Sequence, residues 1–422
     1  MITLAKKLLS DASGKANLDV GDIIICNVDL AMIHDSGGPR RVKPILERLN
    51  RNVWDNEKIV VVTDHYVPAK SDETRAIQAL TKKWVKDNQI NNFYDEQGIC
   101  HIVLPERGHL TPGLFCVGGD SHSPTGGAFG AYMFGIGATE MAGVLATGSI
   151  WIKTPETILM SWKNQLHKYV TAKDMMLAMC RKIGMGGGRY QAIQFAGETI
   201  RNLPMQERMT LSNMAAELGA QAGLIAPDET TIAYVEAAGG QVPNNWRNFQ
   251  IETVEDTRNR MQFDAANLSP QIAAPHSPEN SDDADEFQNT AFDVAYIGAC
   301  TGAKYIDLLA AAEVLKGKRI AKGVTLKVAP ASLRDQHRAT EDGIMQVLED
   351  AGAEFLANSC GICAGYGEDR LAEGQVCISS TARNFKGRMG AQSSSVYLAS
   401  PYTVAASAVT GKLTDPRLVM GE

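Results

Sequence analysis

The sequence predicts an α/β protein, and three observations carry that expectation. Short apolar runs at residues 18–28, 58–62 and 115–119 are separated by segments of helical period. Residues able to do chemistry follow the ends of those runs. The alternation restarts in the last third, where residues 294–298 and 324–330 read as strands and 305–315 and 340–351 as helices. In such folds ligands gather at the carboxyl ends of strands.

Composition narrows the function classes. The chain has 422 residues, 44% hydrophobic and 21% charged, which is ordinary globular material sufficient for two or three domains. A net charge of −7 argues against a nucleic-acid surface. An anionic substrate must therefore be met by local arginines. No stretch reaches the length of a membrane span, and the apolar run within residues 1–10 is too short for a signal peptide. A cytoplasmic protein is expected, its eight cysteines serving as reduced thiols and metal ligands.

In chain order, Ile23–Cys26 reads as a buried strand leading to His34, Asp35 and a breaker at residues 36–39. Residues 58–62 form a second strand, delivering Asp64 and His65. Residues 71–86 have helical period, with Ser71 as cap and Asp72 and Glu73 in the first turn. Residues 100–105 are expected as a third strand and 115–119 as a fourth, which delivers Asp120, Ser121 and His122. The texture changes near Trp151. A helix follows at 171–183, stopped by Gly184, and a short one at 211–218. The segment 267–287, rich in Pro, Ser and Asp, is expected to be a linker. These breaks give domains at 1–155, 156–285 and 286–422.

The chemistry centres on Cys300, Cys360 and Cys363, which all follow expected strands. Three thiols are one short of closing a zinc site or a complete iron–sulfur cage, and a cluster so held keeps one iron open as a Lewis acid. Half a zinc site and a redox pair remain alternatives for the Cys-x-x-Cys pair. Five of the eight histidines lie in the first third. There His34–Asp35, Asp64–His65 and Asp120–His122 pair imidazole with carboxylate, an arrangement that can hold a proton for a leaving hydroxyl. Arg383 and Arg388 offer forked donors to carboxylates. The remaining cysteines sit in apolar runs as small hydrophobes.

The motifs Asp120–Gly127, Cys300–Thr301, Cys360–Cys363 and Arg383–Arg388, with the ending from Leu398 to Arg417, resemble the aconitase superfamily. The branch they resemble is that of the isopropylmalate dehydratase and homoaconitase large subunits. The resemblance implies three α/β/α domains packed around a 4Fe–4S cluster on Cys300, Cys360 and Cys363, without the swivel domain. It implies Asp64, His65, His101, Asp120 and His122 as catalytic residues. His34, Ser121, Lys304, Arg383 and Arg388 are implied as substrate contacts. It further implies a hydro-lyase acting on a hydroxy di- or tricarboxylate, with a small subunit as partner in a heterodimer or heterotetramer. Isopropylmalate is the first expectation, with homoaconitase, 2-methylmalate and 2,3-dimethylmalate dehydratase as alternatives within the class. A cluster-sensing regulator or a scaffold is the non-enzymatic alternative. The chain departs from the family pattern at Gly302 and Ala382, where asparagine is usual, at Gln194, where glutamate is common, and in carrying Ser123 after His122.

Overall fold

A computed structural model describes residues 2–252 and 260–421. Residues 1, 253–259 and 422, which fall at the outer ends of the first and third expected domains and inside the second, lie outside the described residues. The chain divides into two compact units. One comprises Met1–Asp95, Val103–Asn164 and Gly186–Phe263, the other Glu96–Ile102, Gln165–Met185 and Asp264–Glu422. The expected middle domain is shared between them, since its first strands belong to the first unit and the helix Ala172–Ile183 to the second.

In the first unit, β1 (Ile23–Asn27) leads directly into β2 (Leu30–His34). A parallel sheet is built from β2, β3 (Ile59–Thr63), β4 (Phe93–Asp95), β5 (Phe115–Gly118) and β6 (Tyr132–Gly135), in the order β4-β3-β2-β5-β6. Strands β2 and β3 are buried at every position, which is why they read as unbroken apolar runs. The helix Asp72–Asp87 starts as expected, with Ser71 and Thr74 capping each other reciprocally. β7 (Ser149–Lys153) pairs antiparallel with β1 as a separate ribbon. β8 (Thr157–Lys163), β9 (Ala192–Ala196) and β10 (Ala222–Ile225) run parallel, with β11 (Arg260–Asp264) at the edge.

In the second unit, β12 (Gln271–Ala273) and β13 (Ser281–Asp283) add antiparallel to a parallel group. That group comprises β14 (Val294–Ile297), β15 (Thr325–Val328), β16 (Glu354–Phe355), β17 (Val376–Ser379) and β18 (Ser395–Ala399).

Several local expectations are corrected. Cys100–Glu106 is a helix rather than a strand. Its apolar residues are buried on all sides, and a short apolar run has no period that tells the two apart. The expected linker at 267–287 holds β12, β13 and a 3-10 turn at Ala284–Phe287. Its polar groups are satisfied locally: Asp174 accepts from the Gln271 N–H, Asp283 accepts from the Gln271 amide, and Arg181 pairs with Asp282. The helix expected at 340–351 is two, Leu333–Glu341 and Ile344–Ala351, separated at Gly343 with φ +75°. The helix expected at 211–218 begins earlier and ends at Met214. β1 alternates between exposed and buried rather than being buried throughout.

Candidate active site

The first unit collects His34, at the end of β2, with Asp35, Asp64, His65, Asp120 and His122 on the loops that follow β2, β3 and β5. The ligand atoms of His34, Asp35, Asp64 and His65 all lie within 4.8 Å of one another. Asp35 is fully buried and its carboxylate accepts the N–H groups of His65 (3.1 Å) and Tyr66 (3.0 Å). It thereby fixes the turn that presents Asp64 and His65. The Asp64 carboxylate accepts from His65 Nδ1 at 2.6 Å, and His65 Nε2 lies 4.0 Å from Asp120 Oδ2.

Burial draws the His65 imidazole down. Asp64, by charge and hydrogen bond, then Asp120 and Asp35, outweigh it and push the group up to about 9 from its ordinary 6.5. The His34 ring stacks on that of His65, with centroids 4.1 Å apart. Burial, and then the neighbouring His65, hold His34 below 6.5. Each His34 nitrogen has a partner: Nε2 donates to the Gly119 carbonyl at 3.1 Å, and Nδ1 accepts from the Ser36 hydroxyl at 3.2 Å. The expectation that His34 touches substrate therefore gives way to a supporting role beneath His65.

These two shifts set a pH window. His65, raised when folded, contributes stability in full below pH 6.5 and loses it as pH rises through about 9. His34, lowered when folded, costs stability as pH falls below 6.5. Asp64→Asn removes the main support of the imidazolium. It is expected to cost about 2–3 kcal/mol at pH 6 and much less at pH 9.5, read from urea unfolding at both values. An equal loss at the two pH values would contradict this account of His65.

His122 follows Asp120, whose carboxylate accepts the His122 N–H at 2.8 Å. Its Nε2 lies 3.1 Å from Glu217 Oε1, and Glu217 is completely buried. Sequence reading missed Glu217. The available signal was a single carboxylate in the apolar stretch Leu211–Leu218. Gly118 admits no side chain, because a Cβ there would stand 1.9 Å from Ser123 Oγ, and that hydroxyl donates to the Asp120 carbonyl at 2.7 Å. The serine after His122 is thus a close-packed brace of the loop. Ser121 is exposed. Gln194, by contrast, donates to the Ile251 carbonyl.

The second unit holds the thiols, with His101 buried in its helix. Cys300 is buried and follows β14 through Ala299, which adopts a left-handed φ of +68°. Cys360 is half-buried and precedes one turn of 3-10 helix at Gly361–Ala364, which carries the buried Cys363. Tyr296 links the two segments. Its hydroxyl folds back against Gly298, two residues before Cys300. Its pKa is pushed well up by burial and then by the nearby Cys363 and Cys360. A Cβ on Gly365 would stand 2.8 Å from the Arg388 carbonyl, so the arginine loop backs the Cys-x-x-Cys turn. Arg388 Nε is buried without a partner, a state that costs about 1–3 kcal/mol unless an acceptor is bound. Soft thiol donors on a turn backed by an arginine loop suit an anionic metal–sulfur group.

Lys304 is corrected. It is fully buried, its ammonium on Asp307 Oδ2 at 2.6 Å and the Cys300 carbonyl at 3.4 Å, so it braces the Cys300 turn. A second brace is Lys173, also buried, which donates to the carbonyls of Ser380 (2.9 Å) and Thr381. Gly302 has a steric cause: a Cβ there would stand 2.2 Å from Ser380 Oγ, and that hydroxyl donates to the carbonyls of Gly298 and Gly302. Ser380 occupies the room a larger residue at 302 would need.

The 3-isopropylmalate dehydratase large subunit 1 of Methanopyrus kandleri is 44% identical over 98% of this chain and 99% of its own. A probable methanogen homoaconitase large subunit of Methanosarcina mazei is 40% identical over 94% of this chain and 100% of its own. The crystal structure of Thermococcus kodakaraensis aconitase X (holo-form) superposes with a TM-score of 0.50 at 12% identity, covering 90% of this chain and 88% of that one, which speaks to the fold alone. Residues 6–411 match the model of the aconitase family (aconitate hydratase), and the chain belongs to that family of hydro-lyases.

Proposed function

We propose that the chain is the large subunit of a two-subunit hydro-lyase that removes and re-adds water on a hydroxy di- or tricarboxylate, with 3-isopropylmalate as first substrate. The near-full-length identity to isopropylmalate dehydratase large subunits carries the reading. Homoaconitase chemistry is the second reading, favoured by the relative from Methanosarcina mazei at 40% identity. Both classes of relative are named as large subunits, which supports a small subunit as partner here.

Cys300, Cys360 and Cys363 are the proposed ligands of a 4Fe–4S cluster. When bound, such a cluster supplies a Lewis acid for a hydroxyl and a carboxylate oxygen. The chain's own residues supply the rest. His65, charged at neutral pH through Asp64, holds a proton on Nε2 for a departing hydroxyl. Asp120 orients it, and Glu217 holds His122 in one direction for proton exchange. His101 and Ser121 complete the proposed proton and hydroxyl contacts. Arg383 and Arg388 bind carboxylate. That contact stabilises the dianion formed when a proton alpha to a carboxylate is removed.

The test is a coupled assay of anaerobically reconstituted protein on a panel of hydroxy-acids, with and without the small subunit. Turnover of 3-isopropylmalate is expected only with the small subunit present. Full turnover by the chain alone would remove the partner from the account, and a preference for homocitrate-type substrates would select the second reading.

A further inference from the structure

β1 and β7 form a two-stranded ribbon whose inner face, with Ile24, Cys26 and Ile152, belongs to the core of the first unit. Its outer face is apolar as well. Ile23 is 68% exposed, Ile25 66% and Trp151 65%, and Ile25 stands directly opposite Trp151 across the ribbon. Trp151 continues into a groove of about 590 Å³ that Tyr190, 62% exposed, and Val20, 55% exposed, also line. Among the described residues, the four most exposed large apolar side chains are thus gathered on this one surface. An isolated ribbon facing water should alternate apolar with polar. The run Ile23–Cys26 instead has the composition of a strand covered on both faces.

We infer that this face is the contact between two copies of the chain, related by a two-fold axis. Two features select a second copy over other occupants. The groove is rimmed by Glu140, Lys153, Glu156 and Arg189, two charges of each sign, so the surface complements itself although the whole chain carries −7. The five apolar residues expose on the order of 600–700 Å² together, close to the roughly 800 Å² per partner of a standard interface once the rim is added. Two ribbons stacked face to face about 10 Å apart make a four-stranded sandwich with Trp151 and Ile25 at its centre. Aromatic and branched side chains packed centrally dominate such contacts.

The experiment is sedimentation velocity of the full chain from about 1 to 50 μM, with and without its small subunit, for wild type, Trp151→Glu and Ile25→Lys. All three positions of the ribbon face are exposed, and circular dichroism and melting check that the variants fold. Wild type is expected at twice the 45.5 kDa of one chain, and each variant at one. Their self-association should be weakened at least ~100-fold, the size of losing a central contact of about 3 kcal/mol. A wild-type monomer across the range, or folded variants that remain dimeric, overturns the inference. So does loss of small-subunit binding by the variants with wild type monomeric, because the face then belongs to that partner. None of these outcomes bears on the hydro-lyase reading, whose own assay is separate.

Discussion

Cys300→Ser is expected to abolish measurable dehydration in the reconstituted two-subunit enzyme, with turnover at least ~100-fold down. Loss of a residue that merely supports a ligand already costs about 10–100-fold, and loss of the ligand itself costs more. The turn that carries the thiol is held in place by its neighbours. Ala299 is left-handed before it, Lys304 holds its carbonyl, and Ser380 fills the space at Gly302. Serine presents a shorter, harder oxygen that cannot reach or bind a soft metal comparably. Unfolding measurements should show a much smaller effect, since the exchange changes little volume. Turnover within tenfold of wild type would refute the assignment of Cys300.

The second large effect is expected at Glu217. Glu217→Gln keeps the side chain's shape while removing the charge that faces His122 Nε2 at 3.1 Å. The imidazole then loses the carboxylate that fixes its ring, and kcat should fall by about 10²–10³ with KM within a few-fold. Retained kcat in a folded variant would make Glu217 a core residue without a catalytic connection.

Much of this site was legible because its residues lie in short motifs placed immediately after strands. The expectations at His65, His122 and the three cysteines rest on neighbours within a few positions. The parallel strands were equally plain, since β2 and β3 are apolar at nearly every position. What escaped notice depends on partners far apart in sequence. Glu217 meets His122 across 95 positions, and Lys173 meets Ser380 across 207. Lys304 misled for a related reason. The family resemblance implies a substrate contact at Lys304, whereas its burial beside Asp307 makes it a brace. His34 likewise stands where a substrate contact was expected, yet Gly119 and Ser36 already occupy its nitrogens. The segment 267–287, with its acidic run at 282–286, reads as a linker because its pairing with Arg181 and Gln271 is invisible in composition.

Gly302 and Ala382 change meaning in this light. The buried ammonium of Lys173 ties the Ser380–Thr381 carbonyls beside Ala382, and Ser380 in turn closes on Gly302. The loops of Cys300 and Arg383 are therefore joined through backbone and hydroxyl groups in place of two amide side chains.

Iron and acid-labile sulfide analysis of the anaerobically reconstituted wild-type chain, beside Cys300→Ser, tests the central claim most directly. About four irons and four sulfides per wild-type chain are predicted, with both strongly reduced in the variant. A colourless wild-type protein without iron, or one zinc per chain bound equally by both proteins, would contradict it.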